Sequence, residues 1–424
     1  MKRNTRNAAV ILAMVLMAVS MLPVAASAAE PPCAKIGNTE YPSFEAALAA
    51  ANPGDTITLI ANVPNRVTIA AGKTITIDLN GYAIDTRENN NIALMTYGNV
   101  TVKDSSAAGT GAIMAGKTAG KSGNAVNVCG GTFTLESGSI YSVNNGILID
   151  EEEATVKIKG GKITAEPTTN NSAAFYISSK SETNLIITGG EMVGYNGILL
   201  WNNTNITITG GSIEGQGRLG IQGNGSRDDT EISISGNASV TGLDAAIYHP
   251  QGGKLTISGN ASIKGGTGIV VKGGEVNISG GTIEATGQAA AYEPINSGYK
   301  GTGDALYVEH FDNSTNSENY GTPVVAITGG TFVSANGKAV ASYANPNNSL
   351  EEITEFITGG TFSSDIYELL APGVTRTKNA DGTYTVRIPS VPKTGDNSNV
   401  ILWFALAFIS TIGMMALVRK KKEA

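Results

Sequence analysis

Histidine, cysteine and tryptophan are close to absent, with two of each in 424 residues. His249, His310, Cys33 and Cys129 offer no spacing that would build a transition-metal centre. One cysteine pair makes no disulfide framework, although an exported chain could join the two. Aromatic residues are 6% and charged residues 15% of the chain. Runs of Leu, Lys and Glu of the helical kind are scarce, which suits a chain of many short strands broken by turns. Basic residues are in deficit: residues 29 to 394 hold 22 Lys and Arg against 34 Asp and Glu, a net charge of −12. That balance argues against nucleic acid or an anionic membrane surface as partner. No cofactor or metal is expected.

What the chain has is glycine, 53 residues of it, set among Thr, Ser, Ile, Val and Asn. One unit recurs: an alternating apolar strand, Gly-Gly or Gly-Asn, then a second short strand. It reads VKIKGGKI from Val156, LIITGGEM from Leu185, ITITGGSI from Ile206 and ISISGNASV from Ile232. LTISGNASI from Leu255, VNISGGTI from Val276, VAITGGTF from Val325 and FITGGTF from Phe356 complete the series. The first glycines fall at 160, 189, 210, 236, 259, 280, 329 and 359. A period in the twenties with insertions signifies a solenoid. Alternation within each strand puts one set of side chains inside and the other outside. The glycines supply the positive φ that a sharp corner needs.

Another strand recurs between the corners: Gly146 to Ile149, Ala174 to Ile177, Gly197 to Leu200, Gly220 to Gln222, Ala246 to His249, Gly268 to Val271, Ala305 to Val308 and Ala339 to Ala341. Each rung is therefore strand, glycine corner, short strand, loop, strand, loop. This plan resembles the right-handed parallel β-helix of the pectate-lyase-like superfamily, over about residues 70 to 365. The resemblance implies an all-β rod of about 10–11 rungs, on the order of 50 Å long at the spacing of stacked strands. A solenoid must cover its ends. Residues 29–69 are expected to form an N-terminal cap with an amphipathic helix at 43–51, N-capped by Ser43. Residues 366–388 are expected to form a C-terminal hairpin cap around Asn379-Ala380-Asp381-Gly382.

The two termini carry addresses. Lys2, Arg3 and Arg6, an apolar run from Ala8 to Val24 and Ala26-Ser27-Ala28 read as a signal peptide, residues 1–28. At the other end, a linker of residues 389–399 contains Val391-Pro392-Lys393-Thr394-Gly395. An uncharged stretch at 400–418, long enough for a transmembrane helix in the precursor, and a basic tail at 419–424 follow. The tail belongs on the cytoplasmic side. This order resembles the LPxTG-type cell-wall sorting signal of Gram-positive surface proteins, with Val391 in place of the usual Leu. The resemblance implies sortase cleavage between Thr394 and Gly395 and a covalent bond from Thr394 to peptidoglycan. The expected location is secreted and wall-anchored, with the membrane a partner of the precursor alone.

Enzymes on β-helices need carboxylates converging from neighbouring rungs. The outward positions before the glycine corners offer Lys159, Thr188, Thr209, Ser235, Ser258, Ser279, Thr328 and Thr358 instead, and no catalytic residue is assigned. The best carboxylate–histidine group is Glu309-His310 with Asp312; Asp228-Asp229 and Asp150 to Glu153 read as loop charges. The outward row of the other recurring strand is Leu148, Tyr176, Leu199, Gln222, Tyr248, Val270, Tyr307 and Ala341, with Trp201 and Tyr343 at its edge. Tyr176, Leu199, Trp201, Tyr248, Tyr307 and Tyr343 form a candidate ligand stripe, since aromatic faces stack on sugar rings. The competing reading is a satellite core covered by loops, foremost the insertion from about Gln288 to Gly321. The leading functional expectation is a non-enzymatic adhesin that binds an extracellular glycan or a host or bacterial surface protein. The alternatives are a β-helical polysaccharide lyase or glycoside hydrolase, and a passive spacer.

Overall fold

The structure, a computed structural model, describes residues 31–389 apart from 90–91, 117–122, 151–152, 168–170, 179–182, 202–203, 225–229, 296–297, 312–321 and 347–350. The signal peptide, the Val391–Gly395 motif, the apolar stretch at 400–418, the basic tail and Asp312 all lie outside the described residues.

The chain winds into a parallel solenoid with three strand ladders, here called sheets A, B and C. Sheet A holds the strands that precede the glycine corners. It runs from Thr56–Leu59 and Thr74–Asp78 through Ala154–Ile158, Thr183–Ile187 and Thr204–Ile208 to the first halves of Glu275–Ala285 and Val324–Ser334. Sheet B holds the short strands after the corners, such as Lys162–Ala165, Glu191–Gly194 and Ser212–Gly215. Sheet C holds the recurring third strand, such as Ile147–Ile149, Ala173–Ile177, Asn196–Leu200 and Leu306–His310.

Register is kept from rung to rung. On sheet A, Val156, Leu185, Ile206, Ile232, Leu255, Val276 and Val325 stack in one row, and all are buried. Each such Val, Leu or Ile contributes about 1.5–3 kcal/mol on burial. The outward row beside it is Lys157, Ile186, Thr207, Ser233, Thr256, Asn277 and Ala326.

The corners refine the sequence reading. In a Gly-Gly corner the second glycine takes the positive φ: Gly211 sits at +79°, and a Cβ there would lie 2.8 Å from the carbonyl oxygens of Gly189 and Gly190. In the Gly-Asn corners the role passes to the first residue, Gly236 at +61° and Gly259 at +65°, so that asparagine need not enter the left-handed region.

At the N-terminal end, helix α1 (Phe44–Ala50) is N-capped by Ser43, whose hydroxyl accepts from the Ala46 amide, and it buries Phe44 and Ala47. The strand Ala34–Ile36 pairs antiparallel with both Thr39–Tyr41 and Thr56–Leu59. At the C-terminal end, Thr375–Lys378 and Tyr384–Arg387 form a hairpin, which pairs antiparallel with Gly360–Phe362. Among the described residues no helix is long and apolar enough to cross a membrane.

Candidate ligand-binding face

Sheet C brings the outward row of the sequence analysis into one continuous line. Leu148, Tyr176, Leu199, Gln222, Tyr248, Val270, Tyr307 and Ala341 are successive register partners. Trp201 follows Leu199 by two residues and therefore falls on the same side. Along this line the surroundings change. At the Tyr176 rung the side chains are open or half-open: Leu148 and Tyr176 are half-buried and Trp201 is 46% exposed. Burial, with Asp150 nearby, raises the Tyr176 phenol above its ordinary pKa. Leu199, the register partner of Tyr176, is buried.

Further up, the row is sealed. On most rungs only a few residues separate the sheet B and sheet C strands; in Ser239–His249 they form one strand with an irregularity between Gly242 and Ala245. Between Ala285 and Leu306 the chain instead makes an excursion over sheet C. Tyr292 stacks on Tyr343 at 4.5 Å between ring centroids and leans toward Tyr307 at 6.2 Å, while Tyr299 covers Tyr248 at 5.2 Å. Val270 and Tyr307 are completely buried beneath them, with Leu219 and Ala245. Over this stretch the loop-covered reading describes the row, and Tyr307 has no face to offer a ligand.

A buried polar cluster fastens the excursion. The Lys272 ammonium lies 3.3 Å from Glu309 Oε2. It donates to the carbonyls of Ile295 at 2.7 Å and Gly298 at 2.9 Å, both on the excursion. It also stands 4.3 Å from the centroid of the Phe311 ring. Glu309 Oε2 accepts from the Tyr307 hydroxyl at 2.6 Å, and Oε1 from the Asn345 amide at 2.9 Å. Burial pulls the Lys272 ammonium below its ordinary pKa, and Glu309 opposes that pull. Burial beside Glu309 raises the Tyr307 phenol. A second knot holds the excursion's far end: the Tyr343 hydroxyl donates to Asp304 Oδ2 at 2.7 Å, and Asp304 also accepts from Thr302 and from the Lys338 amide.

These contacts decide the chemistry open to Glu309-His310. Neighbours on a strand face opposite ways, and the two part company. Both Glu309 oxygens are occupied, while the His310 ring meets the Glu351 carbonyl at 2.7 Å and the Thr322 hydroxyl at 3.2 Å. Lys272 carries no motif signal. It could be found only by noting that it follows Val271, whose register partner Val308 precedes Glu309. Among the described residues no group of three or more His, Cys, Asp or Glu side chains could hold a metal ion.

No family model, no curated protein and no solved structure matches this chain.

Proposed function

We propose that the protein is a secreted, cell-wall-anchored adhesin whose open stretch of sheet C, around Tyr176 and Trp201, binds an extracellular glycan. The observation that carries the binding reading is the half-buried Tyr176 with the 46%-exposed Trp201 diagonal to it, two residues beyond Leu199, the register partner of Tyr176. Two aromatic rings presented on the same side of neighbouring rungs suit the faces of a sugar chain. The anchor reading rests on the order of signal peptide, Val391–Gly395, apolar stretch and basic tail. Thr394 is the residue joined to peptidoglycan by a sortase. We assign the rod the right-handed turn favoured by parallel crossovers. We read helix α1 and the 375–387 hairpin as the caps that close it.

Two experiments test this. In a glycan array, Tyr176→Ala and Trp201→Ala should each lose binding; unchanged profiles in both variants would remove the face from consideration. In cells, Thr394→Ala should move the protein from the wall fraction to the membrane or medium. Retention on purified peptidoglycan would rule out the anchor.

A further inference from the structure

At the opposite end of the rod from α1, the corner between sheets A and B opens into a trough of about 530 Å³. It exists because the corner residues Gly281, Gly330 and Gly360 carry no side chains and turn through φ values of +80°, +97° and +119°. Its floor is a ladder of hydroxyls. Thr282, Thr331 and Thr361 are register partners on successive rungs, and the line crosses onto the hairpin at Thr385. The Gly259-Asn260 turn and four strands line it, and at about 4.8 Å per level these five levels make the trough about 19 Å long. Asn260 stands at one end and Arg387 at the other.

Charge marks this trough apart from the rest of the chain. The protein carries a formal net charge of −7, yet no Asp or Glu lines the trough. Arg376, one strand away, is held by Asp365 through contacts of 2.6 and 2.7 Å. The Arg387 guanidinium has no acidic partner among the described residues. An open, polar, threonine-lined trough with one guanidinium that has no acidic partner among the described residues lacks the apolar pockets that peptide side chains need and the aromatic platforms that bases need. It matches a chain of hydroxylated rings bearing a negative group.

The geometry points to a second binding site, in which the threonine-lined trough takes an acidic oligosaccharide and Arg387 holds its carboxylate or sulfate. The hydroxyls of Thr331 and Thr361 exchange hydrogen bonds with the sugars, and Arg387 selects for the charge by a bidentate contact. The site lies on a different face from Tyr176 and Trp201 and does not depend on them.

Calorimetric titration of the full chain with three hexasaccharides, one of uronic acids, one sulfated and one neutral, tests the assignment. At least one acidic probe should bind about ten-fold or more tighter than the neutral one, as a charged hydrogen bond permits, and should weaken as salt rises. Arg387→Gln should abolish that preference. Thr331→Val with Thr361→Val, which keeps the branched shape of each side chain, should weaken every probe that binds. Tyr176→Ala with Trp201→Ala should leave the acidic titration unchanged, and circular dichroism shows whether each variant is folded. Equal affinity for neutral and acidic probes, binding unaffected by Arg387→Gln, or no binding of any probe would overturn the assignment.

Discussion

The Lys272 ammonium and the Glu309 carboxylate meet at 3.3 Å with 3% and 1% of their side chains exposed. The pair sits on adjacent strands of sheet C, and through the Ile295 and Gly298 carbonyls it ties the longest described excursion to the rod. Removing one partner leaves the other buried and uncompensated. Lys272→Ala or Glu309→Ala should therefore cost about 3–5 kcal/mol. The double variant Lys272→Met, Glu309→Leu should cost clearly less than the sum of the single changes. Denaturant unfolding of the three variants checks this, and hydrogen exchange should show the loss first in the 286–305 backbone. Additive costs would mean that the two groups act independently.

Acid should weaken the rod through His249. The ring is wholly buried in register with Val271, neither nitrogen has a hydrogen-bond partner among the described residues, and burial holds its pKa down to about 4. The unfolded chain takes up a proton below about pH 6.5, whereas the folded chain does so only near pH 4. Stability is therefore fully present above pH 6.5 and falls as the pH drops toward 4, by about 3 kcal/mol in all. His249→Met should remove that part of the slope. Parallel unfolding curves at pH 7 and pH 4.5 for wild type and variant measure it, with the carboxylates common to both.

Tyrosines of one row should behave in opposite ways. Tyr307→Ala empties a sealed volume and strips Glu309 of a donor, so it should cost about 3–5 kcal/mol without altering any ligand contact of the folded protein. Tyr176→Ala should change stability by about 1 kcal/mol or less and reduce glycan binding. Melting curves paired with binding isotherms separate the two. A stable Tyr307→Ala protein would contradict the sealed arrangement.

Corner glycines should resist substitution at both positions of a Gly-Gly pair, since a Cβ on Gly210 would lie 2.6 Å from the Thr188 carbonyl oxygen. Gly211→Ala places a Cβ at 2.8 Å from two carbonyl oxygens at φ +79°, at a cost of about 1–3 kcal/mol. Asn237→Ala, whose residue follows the glycine that holds the positive φ, should cost less than about 1 kcal/mol. Thermal melts of the two variants check the contrast.

The sequence alone makes the rung pattern legible, because strand alternation and the glycine corners are local signals repeated many times over. Ile206 and Ile208 go inward, and Thr207 goes outward, for the same reason as their counterparts on every other rung. The register of Tyr176, Tyr248 and Tyr307 follows from that regularity. What covers Tyr248 and Tyr307 is not legible, since Tyr292 and Tyr299 lie in a stretch without periodicity and meet the row only through folding. Glu309 stands out in the sequence for its neighbour His310. Its working partner, Lys272, is 37 positions away in sequence and one strand away in space. The trough ending at Arg387 is hidden for a related reason: the threonine line leaves the repeat and continues on an antiparallel hairpin.

The ladder hydrogen bonds all run along the rod, which gives the molecule a mechanical character. A load applied between its two ends pulls on the bonds between neighbouring rungs, each interface bearing the full force through the bonds of sheets A, B and C together. The described chain exits through the inner strand of the 375–387 hairpin, Tyr384–Arg387, which pairs with Thr375–Lys378 on one side and Gly360–Phe362 on the other. Force transmitted through that exit first meets the hairpin's few bonds, so the rod should lengthen by peeling from its C-terminal end, one rung after another, and not by failing as a whole.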